Sequence, residues 1–108
     1  MPMYLAQFSY TPEAWKKLID NPEDRREATG ALVEASGGKL HGLWYAFGKH
    51  DGYCLVEAPD NISAAALALT ATSGEGIRST EMTVLMTVEE LLESLRRASE
   101  LSFEPPGG

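Results

Sequence analysis

"KLHGLWYAFGKHDGYCLVEAPD", residues 39–60, is the stretch whose reading decides the fold. Two runs rich in apolar and aromatic residues, 39–47 and 53–58, flank a short Gly-Lys-His-Asp connection at 48–51, the pattern of a β-hairpin. Pro59 ends the second run because it has no N–H to give to a ladder. Asp60 is then placed to cap an alanine-rich helix, "NISAAALALTATS", which Gly74 stops. Its small side chains are expected to let that helix approach a sheet closely.

Upstream, residues 3–10, "MYLAQFSY", read as a strand. Thr11-Pro12 supplies an N-cap and a proline at the first helical position, where no hydrogen bond is lost. Trp15, Leu18 and Ile19 share one face of the helix that follows. Asn21-Pro22 repeats the start signal, so a break is expected there, with a second helical segment running to Ser36. Ala28, Leu32 and Val33 would point inward, and Gly37-Gly38 would stop it. Downstream, residues 77–86 form a fourth strand. Thr87 and Glu90 have the spacing of a capping box, and the helix they open is expected to bury Val88, Leu91, Leu92, Leu95 and Ala98 on one stripe.

The order β-α-β-β-α-β-α predicts an α+β, ferredoxin-like βαββαβ fold with an additional C-terminal helix and a four-stranded antiparallel sheet. Residues 1–102 are expected to form a single domain and 103–108 a flexible tail. Setting Gly48 opposite Asp51 puts Leu40, Gly42, Trp44 and Ala46 on one sheet face with Tyr53, Leu55 and Glu57. The other face then carries His41, Leu43, Tyr45, Phe47, Cys54, Val56 and Ala58. Both faces are mostly apolar, which a sheet with one face in water would not be. The expectation is a homodimer in which a second sheet covers the first.

The bulk numbers exclude several classes. Nine Lys+Arg against sixteen Asp+Glu give a formal net charge of −7, which repels phosphate backbones and argues against nucleic acid. The most apolar stretch, "AAALALTA", is far short of the ~20 residues a membrane span needs. Cys54 is the single cysteine, so no internal disulfide or CxxC metal site exists, and a lone thiol fits a reduced, cytoplasmic setting. The opening "MPMYLAQFSYTPEAW" has no basic residues ahead of an apolar run, so a signal peptide is not expected. His41 and His50 lie too far apart to share a metal, and no phosphate loop or nucleophile elbow occurs, so neither a cofactor nor a metal is expected.

The residues "GGKLHGLWYAFGKHDGYCLVEAPDNISAAALAL", with Tyr4 near the start, resemble the GYD-domain proteins, relatives of the dimeric α/β-barrel proteins. The shared elements are Gly37-Gly38-Lys39, Tyr45, Gly48, Asp51 and Glu57-Ala58-Pro59-Asp60. His50 departs from the pattern by standing where the family has tyrosine. The resemblance implies a fold and a dimer more than a reaction. The broader relatives include cofactor-independent oxygenases, lactone isomerases and haem-degrading enzymes beside domains without chemistry.

Candidate chemistry centres on Glu57, a carboxylate in an otherwise apolar strand. Desolvation there would suit it to general-base work, as in a cofactor-independent isomerase or oxygenase; pairing with an Arg across a dimer would make it structural. Asp51 closes a turn and His50 could assist it, so the two would cooperate only if the turn bends them together. Trp44, Tyr45, Phe47 and Tyr53 form an aromatic patch. It reads either as core and dimer packing or as a flat pocket for an apolar or aromatic small molecule, with Gln7, Glu81 and Thr83 as polar lining. The alternative function is a non-catalytic ligand-binding or assembly domain.

Overall fold

Four strands in the order β2-β3-β1-β4 make one antiparallel sheet in the computed structural model, which describes residues 1–107. They are β1 (Met3–Tyr10), β2 (Lys39–Tyr45), β3 (Gly52–Glu57) and β4 (Ile77–Leu85). The helices are α1 (Pro12–Asp20), α2 (Arg26–Ala35), α3 (Asn61–Ser73) and α4 (Val88–Ala98). This is the ferredoxin-like α+β order with a C-terminal helix added. The tail expected to be loose extends to Gly108, which lies outside the described residues.

Helix starts follow their caps. Thr11 Oγ1 accepts from the Ala14 N–H at 3.1 Å and Asp60 Oδ1 from the Ser63 N–H at 2.8 Å. The Ser63 N–H also holds the Asp60 carboxyl below its usual range. The capping box is complete, with Thr87 Oγ1 accepting from the Glu90 N–H and Glu90 Oε1 from the Thr87 N–H. The second helix starts later than Asn21-Pro22 suggests. Asp24 accepts from the Arg26 N–H at 3.0 Å, and that local turn delays α2 to Arg26.

The core lies between the sheet and the pair α2 and α3. Tyr4, Val33, Cys54, Val56, Ala58, Ala64 and Leu67 are buried there, and Tyr4 donates its hydroxyl to Asn61 Oδ1 at 2.6 Å. Burial in this apolar layer pushes the Cys54 thiol up to about 11, so it stays protonated at neutral pH.

Strand β2 departs from the simple hairpin register. Leu40 pairs with Val56, but Gly42 pairs with Leu55, so His41 is an extra residue in a bulge. One inserted residue flips what lies upstream of it. Leu40 joins Leu43, Cys54 and Val56 on the helix side, and His41 turns to the open face with Glu57. The strand also ends at Tyr45, before Phe47, which is fully exposed. Ala46 N–H bonds to the Asp51 carbonyl, so the loop is wider than a four-residue tip.

Helix α4 does not bury its apolar stripe within the chain. Val88, Leu91, Leu92 and Leu95 are 69%, 49%, 47% and 55% exposed. A chain of this length packed into a ball would have a radius of gyration of about 13 Å. The observed value is 17.6 Å, with a longest extent of 59 Å.

Candidate functional site

The sheet has two faces, and they separate the residues singled out in the sequence. Directly paired residues share a face. One row across the open face is therefore Trp44, Tyr53, Gln7 and Glu81, and the next is Gly42, Leu55, Leu5 and Thr83. A third holds Lys39, Glu57, Met3 and Leu85. No helix lies over these rows. Trp44 is 55% exposed and Leu5, Leu55 and Leu85 are half-buried.

Two histidine–carboxylate pairs stand on this face. His41 Nε2 and Glu57 Oε1 are 2.6 Å apart, in hydrogen-bonding geometry, with side chains 31% and 26% exposed. The carboxylate suspected of base chemistry thus has a histidine partner, supplied by the bulge. His50 is buried, with Nε2 2.9 Å from Glu81 Oε2 and its ring edge-on to Tyr53 at 6.0 Å. Its Nδ1 has no hydrogen-bond partner. On the same face Thr83 donates to Gln7 Oε1 at 2.6 Å. Glu57, His50, Trp44, Tyr53 and Gln7 therefore share one side of the sheet.

Asp51 and Tyr45 do not join them. Asp51 Oδ2 accepts from the Tyr10 N–H at 2.9 Å and the Trp15 Nε1–H at 3.2 Å, and the Asp51 N–H donates to the Phe8 carbonyl. The aspartate ties the hairpin loop to the end of β1 and to α1. Tyr45 sits beside it in an aromatic cluster, its hydroxyl 3.1 Å from that of Tyr10 and its ring 6.5 Å from Trp15. Burial, then the Tyr45 contact, pushes the Tyr10 phenol above its ordinary value, so it acts as a neutral hydroxyl.

Concavity lies on the helix side. A cleft of about 260 Å³ opens between α2, α3 and the sheet. Its floor is Ala6, Phe8, Cys54, Val56 and Met82, and Leu32, Leu67, Ala68 and Ala71 come from the helices. Polar groups gather where β1 ends and β4 begins, namely Tyr10, Arg25, Glu75 and Thr80. The Thr80 hydroxyl is buried without a partner. The sequence reading missed this cleft. Its signal was the alanine run, read as allowing close helix–sheet approach; Ala68 and Ala71 instead line open space. Among the described residues no cluster of three or more His, Cys, Asp or Glu could hold a metal, and no helix is long and apolar enough to cross a membrane.

The GYD domain profile matches residues 4–95. The chain belongs to the GYD domain family. No curated protein matches it in sequence. Among solved structures, the crystal structure of FFRP-DM1 is similar at 13% identity and a TM-score of 0.51, over 80% of this chain and 100% of that one. An uncharacterized NIPSNAP domain protein from Burkholderia xenovorans matches at 14% identity and a TM-score of 0.45, over 82% of this chain and 95% of that one. The first likeness extends to the fold alone, as a GYD domain with this strand order would lead one to find.

Proposed function

We propose that this GYD domain is a homodimeric α/β-barrel protein of the cytoplasm whose protomers each bind an apolar or aromatic small molecule. The observation that carries the reading is the cleft between α2, α3 and the sheet. Ligand sites are concave and mostly apolar, with a few polar groups to orient the guest, and their volumes run from about 300 Å³ upward. At about 260 Å³ this one suits a small guest, such as a molecule of one or two rings. The Thr80 hydroxyl at the polar end offers a hydrogen bond to a single ligand oxygen or nitrogen.

The open face serves assembly. Covering Leu5, Trp44, Leu55 and Leu85 with a second sheet would stabilise the pair by roughly 1 kcal/mol at Trp44 and about 0.5 kcal/mol at each leucine. A charge of −7 disfavours nucleic acid as a partner.

A fluorescent two-ring probe, 1-aminonaphthalene, tests the cleft. Binding with a micromolar Kd is expected. Ala68→Trp, which sets an indole into the cleft from α3, should weaken it at least tenfold while leaving the circular dichroism unchanged. Absence of probe binding, or equal binding by the folded variant, overturns the reading.

The His41–Glu57 pair favours a second reading, acid–base chemistry on a guest held between two open faces. Glu57 would take a proton from an activated C–H or phenol, and His41 would orient the carboxylate. Incubating bound fragments with the protein and following their masses tests it. Conversion that vanishes in Glu57→Gln, with binding retained, supports this chemistry, and fragments recovered unchanged from the wild type refute it.

A further inference from the structure

We propose that α4 is an exchanged arm, each protomer laying its leucine stripe across the second copy of the chain. The proposal rests on the face-to-face dimer proposed above and names what completes it. Val88, Leu91, Leu92 and Leu95 recur at helical spacing and are all about half exposed or more, and Met86 beside them is 55% exposed. Such a stripe in water is unfavourable and calls for a cover.

Three observations choose the cover. The first is reach. Helix α4 packs closely on no other element of its own chain, and the 59 Å extent and 17.6 Å radius of gyration fit a projecting segment, so its own core does not supply the surface. The second is charge. An amphipathic helix that lies on an anionic membrane carries Lys and Arg on its polar face. Here that face begins with Glu89 and Glu90, and Glu93 pairs with both Arg96 and Arg97 at 2.7 and 3.3 Å, so three carboxylates outweigh two guanidiniums. With the chain at −7, a lipid surface is a poor occupant.

The third is area. Four strands about 4.8 Å apart and some 20–30 Å long give the open face a footprint of roughly 500 Å². A stable interface covers about 800 Å² on each partner. A helix the length of α4 is about 16 Å long. Its apolar face, together with the patch on the same protomer that receives the partner's helix, adds roughly 300 Å² to that footprint. The arm thus enlarges the contact by about three-fifths over the sheet alone, toward the usual size. The arm also starts at the sheet, since Leu85 stands on the open face two residues before the cap of α4.

Light scattering and sedimentation equilibrium test the proposal. Wild type is expected to be a dimer at micromolar concentration. Leu91→Glu/Leu95→Glu, changed where the protomer leaves both side chains half exposed, should keep its circular dichroism but raise the dimer Kd at least tenfold. A photo-reactive residue at position 92, in a mixture of tagged and untagged chains, should cross-link tagged to untagged protomers. A wild type that is monomeric overturns the dimer and with it the arm. A dimer whose Kd the double substitution leaves unchanged overturns the arm and spares the dimer. Cross-linking confined to the same chain, or in extract to a different polypeptide with none to the second copy, overturns the arm as well, as does retention on anionic vesicles.

Discussion

Gly38→Ala is expected to destabilise the protein by about 3 kcal/mol or more, a large share of the ~5–15 kcal/mol that holds a domain together. A Cβ at position 38 would stand 2.1 Å from the backbone carbonyl oxygen of Glu57 and 3.3 Å from a Val33 methyl. The carbonyl is backbone of a strand next to the buried Ala58, so it cannot rotate out of the way as a side chain would. Relief needs the α2 exit and β3 to move apart, which loosens Val33 against the sheet. For a domain of about 100 residues each kcal/mol shifts Tm by about 4–8 °C. A fall of at least about 12 °C in a thermal melt is therefore expected. Gly48→Ala is the control, because nothing lies within 4 Å of its Cβ position, and it should melt with the wild type. Equal melting of the Gly38 variant would show that α2 can slide at no expense.

That glycine also marks how far the sequence could be read. Gly37-Gly38 is legible as a helix stop, and the structure has Gly37 in the left-handed region at φ 89° with both amides bonded back into α2. The close approach of Gly38 to Glu57 is a long-range fact with no local pattern. The same division runs through the rest. Caps, proline breaks and the hairpin depend on neighbours in sequence, so the four strands and their order followed from them. The bulge at His41 depends on how β2 meets β3. A slip of one residue changes sides, so Leu40 and His41 exchanged faces while Gly42, Leu43, Trp44 and Tyr45 kept theirs. Glu57 was visible as a carboxylate among apolar residues, but its partner came from that unseen bulge. The stripe on α4 was correctly periodic, yet periodicity says only that a face wants cover. It does not say whether the cover belongs to the same chain. The cleft was hidden for a related reason: alanines at a helix–sheet contact mean close approach or open space, depending on where α2 stands.

Asp51→Ala is expected to destabilise by about 2–4 kcal/mol, because it leaves two donors without their shared acceptor. The carboxylate takes the Tyr10 N–H and the Trp15 Nε1–H in a half-buried place. Loss of the clamp should free α1 from the end of β1, and with it the edge-on contact of Trp15 with Tyr10 at 5.0 Å. Urea unfolding would report a lower midpoint, and Trp fluorescence a more exposed indole even before unfolding. Asp51→Asn separates this role from chemistry. Its amide oxygen keeps an acceptor in place and should recover most of the stability, losing only the charge assistance of about 1 kcal/mol. Were Asp51 an acid or base toward a guest, the Asn variant would be as inert as the Ala variant while folding well. An Ala variant as stable as wild type would remove the clamp and return the aspartate to the list of chemical suspects. The bonds observed argue otherwise, since Oδ2 faces the donors of its own fold on the helix side of the sheet, whereas His50, its neighbour in sequence, pairs with Glu81 across the open face.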